Sequence, residues 1–119
     1  MATLTGACRV ALGGNRAGLF SNSDELSSKL SEEGVKMDEL VWRLPVDEYH
    51  YEMIKSKQAD ITNSAGKPDA AASQAAAFLG NFVEEGVEWA HLDIAGVGEK
   101  GSYSTGFGAK LMLDYVKNN

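Results

Sequence analysis

His91 and Asp93 stand two residues apart in the run Trp89-Ala90-His91-Leu92-Asp93-Ile94-Ala95, the most strand-like stretch of the sequence. Side chains alternate across a strand, so Trp89, His91 and Asp93 share one face and Ala90, Leu92 and Ile94 the other. An imidazole beside a carboxylate could be two metal ligands or an acid–base pair. It could also be a half-buried, hydrogen-bonded pair that supports the sheet. A zinc site needs three or four convergent ligands, and His50 belongs to a different element. The supporting role is the expected one.

Two glycine-rich runs invite a phosphate reading. Gly96-Val97-Gly98-Glu99-Lys100-Gly101 has G-x-G-x-x-G spacing directly after that strand. A dinucleotide loop also needs a second strand bearing an acidic residue about 20 residues on, and the sequence stops at Asn119. A flexible loop is expected instead. Gly13-Gly14-Asn15-Arg16-Ala17-Gly18 is followed by Leu19 and Phe20, where a phosphate loop carries Lys and Ser or Thr. It reads as a turn. Asp47, Glu48, His50 and Glu52 read as a solvated helix start, with acidic groups at the positive end of the helix dipole. Cys8 has no base near it in sequence, and no G-x-S-x-G, H-E-x-x-H or paired-cysteine motif occurs. These residues alone form no self-sufficient catalytic constellation.

The elements that must position them alternate. Strand-like runs are expected at 2–5, 18–20, 40–44, 59–62 and 89–95. Helices are expected at 24–33, capped by Asn22 or Ser23 and stopped by Gly34, and at 47–56 after Pro45. A third runs 70–85, with Ala71, Ala75, Phe78, Leu79, Phe82 and Val83 on one stripe and an Ala-rich flank for close approach to a sheet. The last runs 106–117 and buries Phe107, Leu111, Met112, Tyr115 and Val116. Strands alternating with helices imply an α/β fold, a mostly parallel or mixed central sheet flanked by helices. A strand beginning at residue 2 has nothing before it to cover it. Either a partner supplies the cover or the chain is a piece of a larger domain.

Composition bounds the partners. The chain has 119 residues, 44% hydrophobic and 24% charged, with 11 basic against 17 acidic side chains. That is ordinary globular usage for one unit, 1–119. A net charge of −6 repels phosphate backbones and anionic lipid, so neither nucleic acid nor a membrane is expected as a partner. No apolar run approaches the roughly 20 residues of a membrane helix. The lone Cys8 excludes an internal disulfide and suits a reducing, cytoplasmic compartment.

Seven stretches then combine. They are Ala2-Thr3-Leu4-Thr5-Gly6-Ala7, Val10-Ala11-Leu12-Gly13, Trp42-Arg43-Leu44-Pro45, Ala59-Asp60 with Asn63, Ala75-Ala76-Ala77-Phe78-Leu79, Trp89-Ala90-His91-Leu92-Asp93-Ile94-Ala95-Gly96, and Thr105-Gly106-Phe107-Gly108. In this order and spacing the chain resembles the leucyl aminopeptidase family, the hexameric, two-metal cytosolic exopeptidases. The resemblance covers nearly the whole chain but only the C-terminal part of the family's catalytic domain. The Asn-Thr-Asp-Ala-Glu-Gly-Arg signature, the other metal-ligand Asp residues and the catalytic lysines lie upstream in the family. The resemblance therefore implies two divalent ions, zinc or manganese, whose ligands are not in this segment. Asp60 and Asp93 match no family ligand. It assigns no catalytic and no metal residues here.

What the resemblance does imply is substrate contact. Leu4 would present its backbone C=O and Gly6 its N–H to a bound peptide, with Thr3 lining the same floor. Ala95 and Gly96 would wall the pocket for the first side chain, where small residues leave room for a leucine-like group worth roughly 1.5–3 kcal/mol on burial. The loops 64–71 and 97–100 depart from the family pattern. The implied function is removal of N-terminal residues from peptides once the metal-binding half completes the site, the segment alone being inactive. A different class remains beside it: a non-catalytic structural or assembly protein retaining the aminopeptidase fold. A nucleotide-binding module built on Gly96–Gly101 is the third.

Overall fold

The computed structural model of the chain describes residues 1–55, 66 and 68–119. The expected strand 59–62, with Asp60 and Asn63, lies outside the described residues.

The chain begins with a single bridge. The Ala2 N–H donates to Leu92 C=O at 3.1 Å and the Ala2 C=O accepts from Ile94 N–H at 2.8 Å. The expected strand 2–5 goes no further, because Thr5 turns its hydroxyl onto the Cys8 N–H and caps helix α1, Gly6–Leu12. A β-branched threonine suits a strand and also serves as an N-cap; here the cap wins. Strand β1, Ala17–Ser21, is buried along its whole length. Ser23 then caps helix α2, Asp24–Lys36, through the Leu26 N–H, with Asp24 and Glu25 in its first turn.

Helix α2 does not stop at Gly34. A Cβ there would sit 2.6 Å from the Glu39 C=O, so this glycine lets the returning chain cross the helix closely. Strand β2, Val41–Arg43, follows. Helix α3, Glu48–Met53, is shorter than 47–56. Its start is not merely solvated: Asp47 caps the Tyr49 N–H, and His50 Nδ1 accepts the Asp47 N–H at 3.1 Å.

Helix α4, Ala71–Gly80, ends five residues before the expected limit. Its buried side is Ala72, Ser73, Gln74, Ala76 and Ala77, the small flank rather than the aromatic stripe. Phe82 is exposed. Small side chains let the helix axis approach Cys8 and Phe20 closely, which the large ones would prevent. Strand β3, Ala90–Asp93, precedes a hairpin, β4 Glu99–Lys100 and β5 Tyr103–Ser104, where a loop was expected. Helix α5, Ala109–Asn118, buries Leu111, while Met112 and Val116 are exposed, contrary to expectation.

The sheet is mixed, in the order β2-β1-β3. Strand β1 runs parallel to β2, with Ala17 opposite Val41, and antiparallel to β3, with Leu19 opposite Leu92. Alternation along β1 feeds two cores. Ala17 and Leu19 join Leu30, Val41, Leu92, Val97 and Leu111 under α2 and α5. Phe20 joins Cys8, Ala72 and Ala76 under α1 and α4. Ala90 and Ile94 pack with the first core and Trp89 with the second, as the strand alternation predicts. The result is an α/β/α arrangement, the expected fold class.

Candidate functional site

The C-terminal end of β3 carries the densest polar convergence of the site. Asp93 is 1% exposed. Its Oδ1 accepts three backbone N–H groups: Leu4 at 3.1 Å, Thr5 at 3.3 Å and Ala95 at 3.2 Å. Its Oδ2 accepts the Thr5 hydroxyl at 2.8 Å. The same hydroxyl oxygen caps α1 by accepting the Cys8 N–H at 3.1 Å. One carboxylate thus joins the end of β3, the segment before α1 and, through Thr5, the helix itself.

The local sequence explains this convergence. The bond from Asp93 to the Ala95 N–H is the i→i+2 turn that aspartate favours at a strand end. The turn continues as Ile94 C=O accepts from Val97 and Gly98 N–H at 3.1 and 2.8 Å. Gly96 lies against Gly13 C=O, with Arg9 Cα 3.5 Å from where its Cβ would be, so no side chain fits. The G-x-G-x-x-G run is therefore a strand-end turn passing into a hairpin, with no helix for a phosphate to meet.

Four of the five residues expected to contact substrate are joined through this centre. Leu4 and Ala95 share Asp93 Oδ1 directly. Thr3 is one residue before, its Cγ2 within 3.2 Å of the Cβ position of Gly98. Gly96 follows Ala95 against the end of α1. Gly6 opens α1 on the far side of Thr5, and a Cβ on it would meet nothing within 4 Å. Thr3, Leu4 and Gly6 are exposed, Ala95 and Gly96 half-buried. The surface is an open shelf. A groove of about 400 Å³ lies elsewhere, lined by residues such as Val35, Val41 and Trp42 beside β2.

His91 and Asp93 share a face but no hydrogen bond joins them, so the expected supporting pair does not form. Asp93 is committed to its four donors. His91 is 3% exposed, stacks on Phe20 with ring centroids 6.1 Å apart, and its Nε2 has no hydrogen-bond partner among the described residues. Burial pushes its pKa down to about 4, the N-terminal ammonium adding and Asp93 opposing. The ring is neutral at pH 7. Burial, then the charge of Asp93, raises the Cys8 thiol, which is the protonated and unreactive form. Sequence reasoning missed Thr5. The signal was present as a threonine three residues before Cys8 at a helix start.

The resemblance implies two divalent ions, and the described residues do not fit them. Both Asp93 oxygens are occupied by donors, and the described residues contain no group of three or more His, Cys, Asp and Glu that could hold a metal. None of the described helices is long and apolar enough to cross a membrane.

Comparison with known proteins places this geometry. The profile "Cytosol aminopeptidase family, catalytic domain" matches residues 1–113. The chain belongs to the cytosol aminopeptidase family. It is 48% identical to a probable cytosol aminopeptidase of Chloroherpeton thalassium, over 99% of this chain and 24% of that protein. It is 46% identical to a probable cytosol aminopeptidase of Rickettsia bellii, over 100% of this chain and 25% of that one. A solved structure of a tomato leucine aminopeptidase mutant superposes with a TM-score of 0.92 at 39% identity, covering 98% of this chain and 23% of that chain. The chain spans about a quarter of the length of the relatives it matches. The aminopeptidase fold therefore covers the β3 end, its turn and the shelf beside it.

Proposed function

We propose that this chain is the C-terminal segment of the catalytic domain of a leucyl aminopeptidase-like metallopeptidase, and that it supplies the peptide-binding floor of the site. In this reading the Leu4 C=O and Gly6 N–H meet the amino end of a peptide, Thr3 lines the floor, and Ala95 and Gly96 wall the pocket of the first side chain. The observation that carries it is the meeting of Leu4 and Ala95, 91 positions apart, on one buried carboxylate oxygen. The open space over Gly6 supports it, since backbone meets a ligand closely only where no Cβ intervenes.

The zinc or manganese ions and the residues that hold them belong to the other half of the domain. This segment alone is inactive, and the completed enzyme is a cytoplasmic homo-hexamer acting on peptides. The test assays the pure 119-residue chain on a leucyl chromogenic substrate with Mn2+ or Zn2+, alone and with the metal-binding half added. Turnover only in the mixture is expected. Metal-dependent turnover by the chain alone refutes its inactivity. Assembly into a larger complex with no turnover in either arm favours a scaffold.

A further inference from the structure

We propose that Asp93 is the positioning residue of the peptide-binding floor: one carboxylate sets residues 3–6 and the turn 95–96 as a single unit. This rests on the aminopeptidase reading of the shelf. The argument is geometric. The Thr5 N–H and the Leu4 C=O belong to one planar trans peptide and point in opposite directions. With the Thr5 N–H held on Oδ1, the Leu4 C=O is turned away from the buried carboxylate. The Leu4 N–H, held on the same oxygen, turns the Thr3 C=O in the same way. Both carbonyls are thus aimed by an aspartate that touches neither of them. The third N–H on Oδ1 belongs to Ala95, so the pocket wall cannot shift relative to the floor without breaking a bond to the same atom.

The second oxygen extends this to Gly6. It holds the Thr5 hydroxyl, and the hydroxyl oxygen holds the Cys8 N–H. The pitch of α1, and with it the direction of the Gly6 N–H, is therefore set from Asp93 through Thr5. Burial of Asp93 at the end of β3, between β1 and the single bridge to Ala2, makes it a rigid origin for these bonds. The residue acts on the peptide only through backbone groups.

Asp93→Asn separates positioning from simple support. The asparagine oxygen still accepts N–H groups, but its NH2 cannot accept, so the Thr5 hydroxyl proton loses its acceptor and the hydroxyl that caps α1 must turn. In the enzyme completed by its metal-binding half, Asp93→Asn is expected to raise KM for a leucyl substrate about tenfold with kcat changed less. Glu39→Gln, which disturbs a buried carboxylate away from the shelf, leaves KM within about twofold. Thr5→Val removes one arm and is the second variant should Asp93→Asn not fold; its KM is expected to rise about threefold. An unchanged KM in a folded variant overturns the proposal. Amide exchange on the 119-residue chain decides independently of activity. Leu4, Thr5 and Ala95 are expected to lose protection together in Asp93→Asn or Thr5→Val while β1 stays protected. Separate responses of the two segments overturn the coupling. An inactive wild-type enzyme with coupled exchange refutes the aminopeptidase reading alone.

Discussion

Asp93 and Glu39 are both buried carboxylates that accept backbone N–H groups from remote parts of the chain. Glu39 Oε2 takes the Gly108 N–H at 2.8 Å and Oε1 the Leu111 N–H at 2.7 Å. Those donors begin α5, where every helix leaves its first N–H groups without an internal partner. Glu39 therefore finishes one element, and its energy goes into holding α5 on α2. The N–H donors of Asp93 come from segments on either side of the shelf. The Thr3 and Leu4 carbonyls paired with two of them are turned away from the carboxylate, while the Ile94 C=O paired with the third accepts Val97 and Gly98 within the turn. The same hydrogen-bond chemistry completes a helix in one place and shapes a surface in the other. What separates the cases is the direction of the other half of each peptide group.

The sharpest way to break this comparison is Asp93→Ala. It orphans three N–H groups and a hydroxyl, and at about 1–3 kcal/mol for each buried unsatisfied group it costs about 4 kcal/mol or more after relaxation. Urea unfolding measures this, and a loss below about 1 kcal/mol contradicts the buried network.

The next effect is a pH dependence seated on the same strand. The folded pKa of His91 is about 4. In the unfolded chain an ordinary histidine titrates near 6.5. The unfolded state thus binds the proton first. The contribution is fully present above about pH 6.5, falls as pH drops toward 4, and amounts to roughly 3 kcal/mol. His91→Gln is expected to flatten the urea midpoint across that window. An equally steep profile in the variant removes His91 as the cause.

Glu39→Gln comes third. The glutamine NH2 replaces one acceptor, at about 2–3 kcal/mol for a charge-assisted hydrogen bond. The loss is expected in amide protection at Gly108 and Leu111, with the Leu4 and Ala95 amides unaffected. The smallest pair contrasts two glycines of the shelf. Gly96→Ala forces a methyl against Gly13 C=O and costs about 1–3 kcal/mol. Gly6→Ala enters open space and shifts stability by less than about 1 kcal/mol. In the completed enzyme Gly6→Ala is nonetheless expected to weaken leucyl-substrate binding, read as a higher KM. Equal stability losses at the two positions would erase the distinction between packed wall and open floor.

Much of this was legible in the residues. The 89–95 alternation gave β3 its faces, because a period of two leaves no choice about which side chains share a side. Ser23 announced α2 by its cap. The strings Thr3-Leu4-Thr5-Gly6 and Ala95-Gly96 marked the shelf through their resemblance to a family. Other features were misread for identifiable reasons. Gly34 looked like a helix stop, since glycine both ends helices and admits close crossings. The aromatic stripe of 70–85 looked like the buried face, since periodicity reports amphipathicity but not the distance to the neighbouring layer. The His91–Asp93 pair looked self-contained, since sequence does not show what packs above a strand end.

Local pattern therefore determined the types of β1, β2, β3 and α2 to α5, though not of α1 or the β4–β5 hairpin, together with the two faces of β3 and the membership of the aminopeptidase family, because each rests on neighbours within a few residues or on whole motifs. Only the tertiary structure decided that Asp93 would meet Leu4 and Thr5 on two oxygens, and that Gly6 would face open space while Gly96 would not. Those outcomes depend on contacts across nearly the full length of the chain. Such contacts form only once burial has brought the ends of the sheet together.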